Sequence, residues 1–492
     1  MKKIIEVIKK KWLRDTVLTT LLVAILVLAF IALNMWVATI EISNWDFTKE
    51  QIYTLSDESK NLMKDIDKDV SIYFVNYTDD DLVINLAKQY HETNEKIQFE
   101  TMLASERADI AQTYGIEDDA TQVIIVRSGE REKILTYYDL YTYDTTSWNT
   151  IDISEQKITN AVLDVTSDEK PTIYFLTGHN EYSTSSEMMT IAAYIQNEVM
   201  EIADLNLMAT DIPEDCQTII IATPILDFYD TEVEKLTNYI NRGGNIIWMQ
   251  DPSINELELP NAQKILDLYG VSFGSGMVME QDANRMIMEN PQLILPNISY
   301  TTITEDLSSS GLVLFASSGK LNIESSEKLE ELNVTVDEFL TTSETAFYRT
   351  DFTITSARAQ GSDEVGTYTV GATFTKDLSS GEESEDAENS EETKTSKLIA
   401  FANNLFVTDA QITSGSQYIT IATVYNNKDL LLNSVAYSEE KEDQIRIRKN
   451  YESVTYTPTE FQNNVVLAII FIIPLVIVIA GIIIWQVRRR KK

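Results

Sequence analysis

Cysteine, histidine and positive charge are what this chain has least of. One cysteine, Cys216, among 492 residues leaves no internal disulfide framework, CxxC redox pair or cysteine zinc cluster. Two histidines, His91 and His179, are too few for a His-rich metal centre. Lys and Arg number 39 against 77 Asp and Glu, a formal net charge of -38. Nucleic-acid affinity comes largely from Lys and Arg displacing counterions from phosphates, and basic residues cluster only at the two ends, so nucleic-acid binding is excluded. The chain also lacks the G-x-x-x-x-G-K-[ST] phosphate loop of an ATPase and the G-x-S-x-G elbow of a serine hydrolase. What it does have is 44% hydrophobic residues, enough to fill the cores of two or three domains.

Two of those hydrophobic runs carry no charge. Residues 16–40 (TVLTTLLVAILVLAFIALNMWVATI) and 465–487 (VVLAIIFIIPLVIVIAGIIIWQV) are each long enough to cross a hydrocarbon core of about 30 Å. The first follows a basic leader, residues 1–15; the second precedes the basic tail Arg488-Arg489-Arg490-Lys491-Lys492. Residues 1–40 hold six basic and two acidic groups and 465–492 hold five basic ones, which leaves 28 basic against 75 acidic groups, or -47, for 41–464. Because Lys and Arg beside a span favour the cytoplasmic side, the expectation is a two-helix membrane hairpin with both termini inside and residues 41–464 outside. Asn34, Pro474 and Gly481 interrupt the spans and are the candidates for contact with a membrane partner.

Outside the spans the chain reads as α/β. Residues 41–168 give the order β-α-β-α-β-β-α, with strands at Val70–Val75, Lys96–Leu103, Gln122–Val126 and Arg131–Tyr138 and helices near Leu82–Asn94, Glu106–Tyr114 and Glu155–Val165. That is the order of a thioredoxin-like layer, without cysteine and so without redox chemistry. Ser56 is a helix N-cap, with Ser59 where a full capping box would place Glu or Gln. From 169 to 448 short apolar strands (Thr172–Leu176, Glu201–Met208, Thr218–Ile221, Asn245–Met249) alternate with helices (Glu187–Val199, Asp230–Asn241, Asn261–Tyr269). This pattern predicts a parallel, doubly covered sheet of the flavodoxin- or amidotransferase-like kind. Within it, 271–376 is β-leaning and weakly patterned. Residues 377–396 carry eight acidic groups and almost nothing apolar, which predicts a disordered acidic loop. Lys397–Phe401 resumes the sheet, Leu430–Tyr437 is a helix, Gln444–Arg448 a last strand, and 449–464 a linker.

Parallel strands deliver their following loops to one edge of the sheet, where such folds place ligands. That geometry makes Gly178, His179, Asn180, Glu181, Thr223, Pro224, Asp251 and Pro252 the candidate ligand-binding crest. His179, Glu181 and Asp251 have metal-ligand chemistry, but three such groups of unfixed geometry also suit hydrogen bonding of loop backbone, and no metal or other cofactor is expected. A catalytic nucleophile is not expected either: Cys216 precedes a strand and reads as a buried small hydrophobe.

Taken in order, WDFTKEQIYTLSDESKNLMKDI, YFLTGHNE, TPILDFYDTEVEKLTNYINRGGNIIWMQDP, KILDLYGV, KLIAFANNLFVTD, NNKDLLLNSVAY and IRIRKNYESV resemble the GldG-type auxiliary components of bacterial ABC transporters over nearly the whole chain. The resemblance implies a non-enzymatic subunit of the bacterial plasma membrane that works beside an ABC permease and an ABC ATPase on separate chains, with an amidotransferase-like domain lacking catalytic residues. The family's GHGE-like turn falls on Gly178, His179, Asn180 and Glu181, with Asn180 in place of the usual glycine. Two other readings suit the residues: a freestanding membrane-tethered ligand-binding or sensor protein, and a hydrolase of the amidotransferase superfamily or a metal-dependent one. A homo-oligomer is compatible with each.

Overall fold

The computed structural model describes residues 54–440 except 79–80, 117–118, 144–149, 168–169, 254–256, 305–306, 308–310, 380–393 and 415–416, together with four positions of the first apolar run. Those four, Ile25, Leu28, Ile31 and Ala32, are helical and exposed. Among the described residues no helix is long and apolar enough to cross a membrane. The expected spans, with Asn34, Pro474 and Gly481, the strand at Gln444–Arg448 and the linker 449–464 otherwise lie outside the described residues.

The first sheet holds β1 (Val70–Val75), β2 (Ile97–Met102), β3 (Val123–Ser128) and β4 (Arg131–Thr136) in the order β2-β1-β3-β4. β1 and β2 are parallel, and β3 runs antiparallel to both β1 and β4. Period-2 alternation gives it two apolar faces. Ile72, Phe74, Ile124 and Val126 pack under α2 (Leu82–Thr93) and α4 (Ser154–Thr166), whereas Val75, Val123 and Ile125 pack with Ile110 of α3 (Ala108–Tyr114). Ser56 caps α1 (Asp57–Lys64) by accepting from the Ser59 N–H at 3.1 Å. The carboxylate missing from the capping box comes from 99 residues away: Glu155 of α4 accepts from both the Ser56 N–H and its hydroxyl, each at 2.7 Å. A tertiary contact thus completes a cap that the local sequence leaves open.

The second sheet has eight strands. β5 (Thr172–Leu176), β6 (Glu201–Leu205), β7 (Thr218–Ala222) and β8 (Asn245–Met249) come first along the chain; β9 (Asn297–Ile298), β10 (Val334–Thr341), β11 (Thr369–Asp377) and β12 (Thr395–Phe401) follow. Their spatial order is β9-β10-β11-β12-β8-β7-β5-β6. The five strands from β12 to β6 are parallel, as the apolar runs predict. The expectation of an all-parallel sheet needs correction: β11, β10 and β9 extend it in antiparallel fashion. The β-leaning stretch therefore feeds this same sheet, because β10 pairs with β11 along its whole length. The acidic-loop assignment also narrows, since Asp377 closes β11 while Thr395 and Ser396 open β12; Ser396 is buried, with its hydroxyl 2.7 Å from that of Tyr269. Residues 380–393 of that loop lie outside the described residues.

Every residue of β7 and β8 is buried, so both sheet faces are covered. Ile220, Ile247 and Met249 face one core with α5 (Met189–Asn197) and α8 (Asn427–Ser438). Ile219, Ile221, Ile246 and Trp248 face the other, with α6 (Asp230–Asn241) and α7 (Pro260–Asp267). Gly243 and Gly244 end α6 as a C-cap: Gly243 has φ +97°, and the two glycine N–H groups donate to the Ile240 and Tyr239 carbonyls at 2.9 and 3.0 Å.

Candidate functional site

β5, β7 and β8 are adjacent and parallel, so the loops after them meet at one edge. After β5, Gly178 (φ +124°) and Asn180 (φ +57°) turn the chain through left-handed backbone and carry His179 inward. His179 is buried, and its ring is held at both nitrogens: Nδ1 lies 3.3 Å from Oε1 of Glu181 and Nε2 lies 3.0 Å from Oε2 of Glu232. Glu181 also accepts from the His179 N–H at 2.7 Å. Glu232 sits at the third position of α6 and accepts from the Tyr229 N–H at 2.8 Å, a capping box turned to a second use. Phe228 closes over the imidazole edge-on, 4.9 Å between ring centres. The hydrogen bond to Glu181 raises the His179 pKa most; the negative charge of both carboxylates adds to it and burial opposes it. The result is an imidazole clamped between two buried acids, with Oε1 of Glu232 left without a hydrogen-bond partner.

The other candidates are also engaged. Thr223 has φ +55°, rare for a β-branched residue, and is held there by its N–H donating to the Met249 carbonyl at 2.8 Å. Its hydroxyl lies 3.4 Å from the same carbonyl and accepts from the Asp251 N–H at 3.1 Å. Pro224 is buried, and the two residues after it donate backbone N–H to the His179 carbonyl. Asp251 Oδ1 accepts from the Asn404 and Leu405 N–H groups at 2.6 and 3.2 Å, tying β8 to the end of β12. Burial raises the Asp251 pKa against those bonds.

The crest residues therefore share one edge, but in two groups: a His179–Glu181–Glu232 cluster, and Thr223 with Asp251. His179, Glu181 and Asp251 do not converge as a ligand set, and among the described residues no group of three acidic, histidine or cysteine side chains could hold a metal. Cys216 lies before β7, at the opposite edge, and burial pushes its thiol up to about 12, far from thiolate reactivity. His91 is half-buried on α2, its Nδ1 2.9 Å from the Ile97 carbonyl. Glu232, Tyr182, Asn403 and Asn404 complete the edge without having been singled out in the sequence. For Glu232 a signal existed, an acid three residues into a helix that starts beside the β7 turn.

A cavity of about 490 Å³ opens at the end of β8, beside α7. Asp251 and Pro252 line it, joined by Trp248, Gln250, Leu259 and Phe273. Its volume falls in the range of small-molecule sites.

Residues 170–434, more than half of the chain and all of the eight-stranded sheet, match the family profile described as an ABC-type uncharacterized transport system. The chain belongs to this family of ABC transport auxiliary components. No curated protein matches it. Solved structures similar to it include the mmIFT52 N-terminal domain, at 14% identity and a TM-score of 0.37 over 55% of this chain and 97% of that one. Others are a putative ThuA-like protein from Bacteroides uniformis (10% identity, TM-score 0.31, covering 55% and 93%) and the exo-beta-1,4-mannosidase Op5Man5 from an Opitutaceae bacterium (9%, 0.26, covering 59% and 36%). These likenesses are too distant to carry function from one protein to another.

Proposed function

We propose that this chain is a non-enzymatic, membrane-anchored accessory subunit of an ABC transport complex. Its two apolar runs pack as a hairpin against a permease on another chain, and its α/β region, 41–168 and 169–448, works outside the membrane as a binding module. Membership of the auxiliary family supports the transport role. The observation that carries the non-catalytic part is the state of the sheet edge: His179 is held at both nitrogens, Asp251 has Oδ1 tied to backbone N–H groups, and Cys216 lies at the other edge. Acyl transfer needs a nucleophile and a base in reach of one another with a free face toward substrate. Here the imidazole has no nitrogen left for either task. The thioredoxin-like and amidotransferase-like character of the two layers belongs to the same proposal, since folds of these kinds serve as scaffolds for binding as readily as for chemistry.

The test is purification of the tagged full chain from its native membrane in mild detergent, followed by mass spectrometry. An ABC permease and an ABC ATPase recovered in fixed ratio is the expected result. Recovery of the chain alone would overturn the accessory role.

A further inference from the structure

We propose that the cavity beside β8 is a binding site for a small organic cation with an apolar, preferably aromatic, body. The proposal deepens the binding role given above and rests on the sheet edge being the binding edge, not on assembly with a transporter.

Three features of the cavity carry it. The first is shape: about 490 Å³ is room for a molecule of ten to twenty non-hydrogen atoms with some water, by the usual dimensions of ligand sites. The second is charge. Among the described residues, Asp251 and Glu258 are in the lining, and no Lys, Arg or His is. Lys320, whose side chain runs close to Gly274 of the lining, has its ammonium over the Tyr348 and Tyr368 rings at 4.1 and 5.3 Å, held by its own cation–π contacts. An anion entering here would meet two carboxylates and no compensating base, whereas a cation would be attracted by both. The third is the wall. Phe273 is half-buried at the cavity, with Trp248, only 1% exposed, 6.3 Å away between ring centres and tilted by 42°, and Leu257 and Leu259 extend the apolar surface. An aromatic face favours cations over neutral or anionic groups.

Gln250 adds a polar fixing point. Its side chain is buried in the lining, yet its bonds are long: the Trp248 indole N–H donates to it at 3.5 Å, and its own amide N–H reaches the Asp251 carbonyl at 3.4 Å. A ligand that offers a donor or acceptor there improves on the contacts the amide already has.

The experiment is isothermal titration of the full chain in detergent micelles with three probes of matched shape: phenethylammonium, phenethyl alcohol and 3-phenylpropionate. Phenethylammonium is expected to bind with a Kd below about 1 mM, with the alcohol at least about threefold weaker and the carboxylate showing no saturable binding. Glu258→Gln, a change at an exposed rim position, should weaken the ammonium by about two- to fivefold and leave the alcohol unchanged. Ser275→Trp places a bulky ring at another exposed position of the lining and should abolish binding while the melting temperature stays within about 2 °C of the parent. Equal binding of all three probes, no binding of any, or ammonium binding that survives Ser275→Trp would each overturn the proposal. None of these results depends on whether a permease is recovered from the membrane, so the two readings can fail separately.

Discussion

Replacing His179 by alanine tests most directly whether the buried cluster is a structural clamp. The parent holds the His179 ring between two carboxyl groups, at 3.3 and 3.0 Å, with all three side chains no more than 2% exposed, an ion pair wherever the ring is protonated. Removing the ring leaves two buried acids without it, one of which already has an unpaired oxygen. Breaking a buried ion pair from one side costs about 3–5 kcal/mol, and losing the edge contact with Phe228 adds about 0.5–1.5 kcal/mol. For a unit of this size each kcal/mol lowers the melting temperature by about 2–4 °C, so a fall of about 7–25 °C is expected. Adding Glu232→Gln to the alanine variant should recover part of it by removing one of the stranded charges. The pH dependence has a definite sign. The folded pKa of His179 lies above its ordinary 6.5, so its stabilisation is complete below pH 6.5 and is lost as the pH rises through the folded value. Thermal melts from pH 6 to 9 should therefore slope downward for the parent more steeply than for His179→Ala. An alanine variant that melts within about 2 °C of the parent, or keeps the parent's slope, would refute the clamp.

Four further variants probe other parts of the same argument. Asp251→Asn keeps an oxygen to accept from Asn404 and Leu405, so its cost should stay within about 1 kcal/mol. Burial raises the Asp251 pKa above 3.8, so the parent gains stability as pH falls from the folded value toward 3.8; denaturant midpoints measured against pH should show that gain disappear in the Asn variant. Gly244→Ala would put a methyl 2.2–2.5 Å from the ring of Tyr239, whose hydroxyl is fixed near the Gln217 and Asn245 carbonyls, and should cost about 1–3 kcal/mol in thermal melts; Gly361→Ala, with nothing within 4 Å, should be neutral. Glu155→Ala removes the acceptor for both groups of Ser56, so hydrogen exchange of the α1 amides should speed up by about 10- to 150-fold, the equivalent of about 1.5–3 kcal/mol. Unchanged exchange would mean that α1 is held by its packing alone.

The parallel half of the large sheet was legible because strands covered on both faces must be apolar at every position, and TIIIA and NIIWM are. The antiparallel half was not. β10 reads VTVDEFLT, with Asp337 and Glu338 in mid-strand, and its register slips at Glu338 and again at Leu340. That break in period-2 alternation hides the strand from any pattern search. The crest was legible as an edge but not as a set of contacts. Strand order and loop position can be read along the chain, whereas the partners of His179 and Asp251 lie 53 and about 150 residues away and depend on how α6 and β12 dock. Composition drew the acidic loop too wide for a related reason. Thr395 and Ser396 look like loop residues, yet they pair with β11, and Ser396 is buried against Tyr269.

Thr223 shows how the fold has used its own reactive position. A residue with positive φ directly after a parallel strand is where an elbow presents a nucleophile, and holding a β-branched side chain in that backbone costs about 1–3 kcal/mol. Such strain persists only where the surroundings over-determine it. Here they do so through the Met249 carbonyl, which accepts from the Thr223 N–H, and through the Asp251 N–H, which donates to the Thr223 hydroxyl oxygen. The strained turn is thus a rivet joining the ends of β7 and β8, and the neighbouring His179 rivets β5 to α6 in the same way. An edge held at His179, Thr223 and Asp251 Oδ1 gives a rigid rim to whatever opens beside it. Recognition then falls to the flank of β8, where the Gln250 side chain keeps only long hydrogen bonds and the Phe273 ring meets an open volume.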